Sequence, residues 1–253
     1  RCYLADMQEQ RKLSKVTIDN LRRIFSSFFS WMEDEDYITK SPVRRIHKVR
    51  TDALVKEVLT DENIEVLRDS CQELRDIAMI DLLLSTGMRV GEIVVLKQSD
   101  IHENYIDVNK TEIRYKDDDG IFHTEIQNFT KTKAGLRKVV IQDDVHEIIE
   151  TINRLNDGGE FLFMHDNGQL LRGTSVSKRL RSLCSYVGIP VRSTHKIRRA
   201  YATKLINSHV DEKIVMKQMG HTDITTTKKY YYYNDKTETE AIHQIKDALK
   251  SVC

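Results

Sequence analysis

Proline is nearly absent: there are two in 253 residues, with ten glycines and one tryptophan. So few breakers exclude a collagen-like or low-complexity chain and leave room for long helices. The four cysteines, Cys2, Cys71, Cys184 and Cys253, are scattered, with no C-x-x-C and no histidine at ligand spacing. That excludes a disulfide scaffold and a zinc ribbon, and points to a reduced, cytoplasmic protein without a metal site. No apolar run approaches membrane-spanning length and no signal peptide is recognisable, so no membrane association is expected. The first residue is Arg1 rather than Met, which reads as a fragment or a trimmed product. Net charge is +1, so no overall excess of one sign singles out a partner.

What is present is a mixture of 40% hydrophobic and 31% charged residues, enough for one large domain, or a small one beside a larger one. The charge is unevenly placed. From Asn167 to Val210 there is no Asp or Glu but nine Lys and Arg, including Arg172, Arg192, Arg198 and Arg199. A second acid-free stretch, Ser41 to Arg50, holds Arg44, Arg45, Lys48 and Arg50. Basic faces on a near-neutral protein suit a phosphate backbone, although such a run is equally a solvated surface.

Apolar residues recur at helical spacing from Ser14 to Met32, with Ser14 or Thr17 as cap. Ile38 to Pro42 ends that helix, and the following basic stretch reads as a linker, with a boundary near residue 50. A second helical region opens at the Thr60-Asp-Glu-Asn63 cap and runs to Gly87, followed by a short helix from Val90 to Leu96. Alternating patterns at Tyr105–Val108, Ile113–Tyr115, Phe122–Phe129 and Arg137–Ile141 predict a small antiparallel sheet. Helices are then expected at Val145–Leu155, Ser175–Val187, His195–Ser208, Asp211–Met219 and Ile224–Tyr233. A last amphipathic helix carries Ala241 to Val252.

Four local patterns carry chemistry. In Ser193-Thr-His195-Lys-Ile-Arg198, the imidazole and guanidinium share one helix face next to an N-terminus that itself attracts anions. In Thr86-Gly87-Met-Arg89-Val-Gly-Glu92, Gly87 breaks one helix and Arg89 starts the next, with Glu92 placed to hold Arg89 as a bidentate pair. Thr130-Lys131-Thr-Lys133-Ala-Gly135 is a lysine-tipped turn. In Gly220-His221, a helix ends and an imidazole follows, with tyrosines at 230 to 233. A phenol surrounded by positive charge can act as a nucleophile. Taken singly, each pattern has an ordinary structural explanation: a basic helix face, a corner salt bridge, a solvated turn, a packed tyrosine.

Together, Arg89, Lys131, His195, Arg198, His221 and Tyr230 resemble the tyrosine recombinases, the integrases of phages and mobile elements. That family has T-G-x-R-x-x-E, a lysine on a hairpin, H-x-x-R, G-H, and a tyrosine nine or ten residues after that histidine. Tyr230 is nine residues after His221 and Tyr231 is ten, so Tyr231 is the alternative nucleophile. The resemblance covers about residues 57–235, and Leu13 to Pro42 is also similar to the last helix of the family's core-binding domain. It implies a mostly α (α+β) fold, a helical catalytic domain with a small antiparallel sheet. The implied divisions are a partial core-binding domain at 1–43, a linker at 44–56, the catalytic domain at 57–235, and a terminal helix at 236–253 that packs on a neighbouring subunit. Of the core-binding domain's earlier helices, only Arg1 to Gln10 could supply one.

The resemblance further implies site-specific DNA recombination through a 3′-phosphotyrosine, without metal or other cofactor. Arg89 and Arg198 would hold the scissile phosphate, His195 and His221 would assist the tyrosine, and Lys131 would protonate the leaving oxygen. The implied partners are double-stranded DNA, further copies of the chain in a tetrameric synapse, and DNA-bending accessory proteins. The competing readings are a type IB topoisomerase-like nicking-closing enzyme and a non-catalytic DNA-binding protein.

Overall fold

The structure, a computed structural model, describes residues 2–44, 46, 60–129, 135–156, 159–190 and 193–221. The expected helices at Ile224–Tyr233 and Ala241–Val252, and the residues Lys131, Tyr230 and Tyr231, lie outside the described residues. The chain divides into two compact units, Arg1–Lys56 and Glu57–Cys253.

In the first unit, α1 (Cys2–Gln10) packs on α2 (Lys15–Asp34). Ser14 is the N-cap of α2, its hydroxyl accepting from the Thr17 amide at 3.1 Å. Tyr3 meets Phe25 edge-on at 5.9 Å, and Ile18 is buried. Asp19 is also buried, its carboxylate held by Arg22 and Arg23 one turn further on.

The second unit opens with α3 (Asp61–Asp69), capped by Thr60. The helix expected to run on to Gly87 is in fact two. The Ser70 hydroxyl turns back to the Leu67 carbonyl at 2.7 Å, and α4 (Leu74–Thr86) starts afresh after Glu73. A serine that hydrogen-bonds its own backbone competes with helix continuation. The next helix, α5 (Val90–Ile93), is shorter than the expected run to Leu96.

The strands are β1 (Tyr105–Val108), β2 (Lys110–Lys116), β3 (Phe122–Asn128) and β4 (Arg137–Val140). They form two antiparallel ladders rather than one continuous sheet: β1 with β4, and β2 with β3. Burial explains the division. Ile106, Val108 and Val139 point into the core from β1 and β4, whereas every residue of β3 is exposed. The β2–β3 ribbon is thus a projection from the body.

Among the described residues four further helices follow: α6 (Asp143–Leu155), α7 (Gly173–Tyr186), α8 (Thr194–Asn207) and α9 (Glu212–Met219). Central α4 packs against α6 and α8. Its Leu82 and Leu83 join Leu67, Met88, Ile93, Ile106, Phe163 and Ile197 in one buried core. A smaller cluster of Ala202, Val215 and Met219 seats α9 on α8. Among the described residues no helix is long and apolar enough to cross a membrane.

Candidate active site

The site is built from two helix ends facing a helix start. Gly87 closes α4 at φ 60°, a left-handed backbone that favours glycine, and Gly220 closes α9 in the same way at φ 62°. Such ends present carbonyl oxygens and partial negative charge. Two arginines use them. Arg198, on α8 one turn after the Ser193 cap, donates to the Gly87 carbonyl at 2.5 Å and to the Met219 carbonyl. Arg89, at the start of α5, donates to the Gly220 carbonyl at 3.2 Å. The guanidiniums are therefore fixed before any ligand arrives. Arg198 is buried, while the Arg89 side chain stays 43% exposed and open to a ligand.

His221 directly follows the α9 cap, its amide donating to the Met216 carbonyl at 3.1 Å. Its Nε2 lies 3.4 Å from an Arg198 guanidinium nitrogen. Burial, then the charges of Arg198, Arg89, His195 and Arg137, lower its pKa to about 4. His195 is exposed at the rim. Partial burial of its ring, then Arg198, Arg199 and Arg89, lower its pKa also. Both imidazoles are therefore neutral near pH 7, able to accept a proton or share one. The structure brings four of the six expected polar residues together: Arg89, His195, Arg198 and His221.

The structure corrects the expected Arg89–Glu92 fork. Glu92 Oε2 accepts from the Arg89 backbone amide at 2.8 Å, and Oε1 from one Arg89 guanidinium nitrogen at 2.9 Å. The two-pronged partner of Glu92 is Arg137, at 2.9 and 2.8 Å. Burial alone would raise the Glu92 carboxyl, but the Arg137 hydrogen bonds, together with the charges of Arg137 and Arg89, hold it at about 2. Arg137 also donates through Nε to the Gln218 carbonyl at 3.0 Å. Gln218 in turn pairs through its side chain with both backbone groups of Val140 and with the Tyr201 hydroxyl. Arg137 and Gln218 thus lock β4, α5 and α9 together beneath the pocket, a role missed from sequence. One signal was available for Arg137. Strand alternation puts it on the same inward face as Val139 and Ile141, where a charge needs a buried partner.

A pH dependence follows. An unfolded imidazole titrates near 6.5 and the folded His221 near 4, so the unfolded chain takes up the proton first. The stability held by neutral His221 is complete above about 6.5 and is lost as pH falls towards about 4. Thermal melts should therefore show a lower midpoint at about pH 5 than at about pH 7.5, and His221→Gln should shrink that difference. An unchanged difference in the variant would assign it to other groups.

A cluster of fixed guanidiniums and neutral imidazoles on a helical scaffold defines a protein that handles a phosphodiester or similar anion. Residues 57–238 match the phage integrase family. A tyrosine recombinase XerC-like protein of Caldanaerobacter subterraneus subsp. tengcongensis is 28% identical, over 97% of this chain and 69% of its own length. A tyrosine recombinase XerD of Listeria innocua is 28% identical over 81% of this chain and 67% of its own. Among solved structures, the Tn1549 transposon integrase in complex with transposon right end DNA superposes with a TM-score of 0.78 at 22% identity, covering 97% of this chain and 82% of that one. A lambda integrase dimer bound to a core site gives a TM-score of 0.66 at 18% identity, covering 93% and 65%. These structural likenesses are of fold. The chain belongs to the phage integrase family, and is a tyrosine recombinase.

Proposed function

We propose that this chain cuts and rejoins double-stranded DNA at specific sites, with a tyrosine as nucleophile and Tyr230 as that tyrosine. The observation that carries the reading is the meeting of Arg89, Arg198, His195 and His221 at the ends of α4 and α9 and the start of α8. Arg89 and Arg198 would hold the non-bridging oxygens of the scissile phosphate, their planar forks staying charged as it becomes pentavalent. Neutral His195 and His221 would hydrogen-bond the phosphate and help take the phenol proton. The tyrosine oxygen bonds to phosphorus as the bond to the 5′ oxygen breaks, and Lys131 protonates that oxygen. A 5′-hydroxyl from a partner strand then reverses the step. Each broken phosphodiester is replaced by another, so no external energy source is needed. Tyr231 is the alternative nucleophile, since spacing from His221 admits both.

The division into units at 56 and 57, and the family match from residue 57, support a catalytic domain at 57–235 preceded by a linker at 44–56 and a partial core-binding domain at 1–43. The segment at 236–253 would pack on a neighbouring subunit. The lambda integrase is known as a dimer on a core site and as a tetramer on a Holliday junction. By that likeness this chain would act as a tetramer on two duplexes, assisted by DNA-bending proteins, in the cytoplasm. Strand exchange between two differently labelled duplexes tests the reading. Recombinant product is expected. Resealing of the original strands alone would make the chain a topoisomerase-like enzyme, and binding without cleavage would make it a DNA-binding module.

A further inference from the structure

The β2–β3 ribbon serves none of the functions described so far. It is firmly rooted. The backbone of β2 lies so close to Gly91 of α5 that an added Cβ there would sit 2.8 Å from the Glu112 carbonyl. The Glu112 carboxylate accepts from the Gly173 amide at 2.9 Å and pairs with Arg172, and Lys110 is bonded to Asp100 at 2.6 Å. Its far turn is also ordered by hydrogen bonds. The Ile121 amide donates to the Asp117 carboxylate at 2.7 Å and the Gly120 amide to the Asp117 carbonyl at 3.0 Å. The ribbon is therefore a stiff arm whose base rests on the helix that Arg89 begins.

Its two faces differ. The register pairs Glu112 with Ile126, Arg114 with Thr124 and Lys116 with Phe122, so these six side chains share one face. Tyr115, His123, Ile113 and Glu125 share the other. On the second face and at the turn, polar groups satisfy one another: the Tyr115 hydroxyl donates to Glu125 at 3.4 Å, and His123 meets Asp117 at 2.5 Å. On the first face the Arg114 guanidinium stands 4.0 Å over the ring of Phe122 and the Lys116 ammonium 5.7 Å from it. Among the described residues neither cation forms an ion pair. Phe122 itself is 59% exposed. Two cations braced on an exposed aromatic ring, with the face's one carboxylate turned in to Arg172 and Gly173, suit a polyanion. Asp118 and Asp119 are exposed at the turn that joins the two strands.

We propose that this face of the ribbon is a second DNA contact, with Arg114 and Lys116 on backbone phosphates beside the duplex segment held at Arg89. A two-stranded ribbon of seven residues per strand extends about 23 Å at roughly 3.3 Å per residue. It therefore reaches beyond the scissile phosphate and adds affinity rather than chemistry. The inference rests on the DNA recombinase reading.

The test is binding of the full chain to a short mixed-sequence duplex across a range of salt concentrations. Each phosphate contact contributes about 0.9 to the slope of log affinity against log salt, so Arg114→Gln with Lys116→Gln should flatten it by about 1.8. Arg114→Lys should keep the wild-type slope, and equal thermal midpoints should show that the ribbon variants fold. An unchanged slope in the double variant overturns the proposal. If self-association falls instead while the slope holds, the face contacts a second copy of the chain and the proposal also fails. Strand exchange by the wild type, measured in parallel, separates the two readings. Exchange with an unchanged slope sinks the ribbon contact alone. A flattened slope without exchange sinks the recombinase reading and leaves the contact standing.

Discussion

Arg198→Lys is expected to slow covalent attachment to a nicked duplex by about 10²–10³-fold, the usual loss when one preorganised donor to a developing charge is removed. The Arg198 guanidinium is buried, and its two terminal nitrogens reach the Gly87 and Met219 carbonyls. A lysine ammonium is a single point of charge and cannot span both helix ends while also presenting a flat fork to a phosphate. The variant should also melt lower, because α4 and α9 lose a shared clamp. Attachment should fall far more than DNA affinity, since the arginine acts on charge that develops during the reaction. Attachment rates and duplex affinities, taken at a temperature where the variant remains folded, distinguish this from a simple folding defect.

Glu92→Gln should be strongly destabilising. The carboxylate is fully buried between Arg137 and Arg89, and the Arg137 side chain is itself only 3% exposed. Removing one member of a buried pair strands the other charge, at a cost of about 3–5 kcal/mol. The carboxyl titrates at about 2 in the folded chain and nearer 4.5 when free, so its contribution is present above about 4.5 and is lost as pH falls towards 2. Wild type and variant should therefore converge in stability as acid is added. Replacing both partners, Glu92→Leu with Arg137→Met, should recover most of the lost stability but not the activity, because Arg89 would no longer be moored. Recovery of both would show that the pair is structural filling alone.

Local chemistry was readable in the sequence and long-range pairing was not. Ser14, Thr60 and Ser193 cap their helices as their side chains require. Gly87 and Gly220 end helices where the apolar rhythm stops. The break between α3 and α4 was hidden because Leu67, Leu74 and Ile77 keep helical spacing across it. Alternation identified the strands, but alternation does not name a partner, so two ladders read as one sheet. Glu92 was rightly expected to hold Arg89 but wrongly given it as fork partner, since the competitor, Arg137, lies 45 residues away in sequence. Gln218 left no signal, being one polar residue in an amphipathic helix. The convergence of Arg89, His195, Arg198 and His221 came from the resemblance of the combined motifs. No single motif required it.

The most direct measurement is to trap the chain on a nicked duplex whose cleaved fragment diffuses away, and to map the attached nucleotide by mass spectrometry. The account predicts a phosphodiester from Tyr230 to the 3′ end of the cut strand, lost in Tyr230→Phe and kept in Tyr231→Phe. A link to Tyr231 would move the nucleophile by one residue. Cleavage that leaves no protein on the DNA, or a link to a residue other than a tyrosine, would contradict the account.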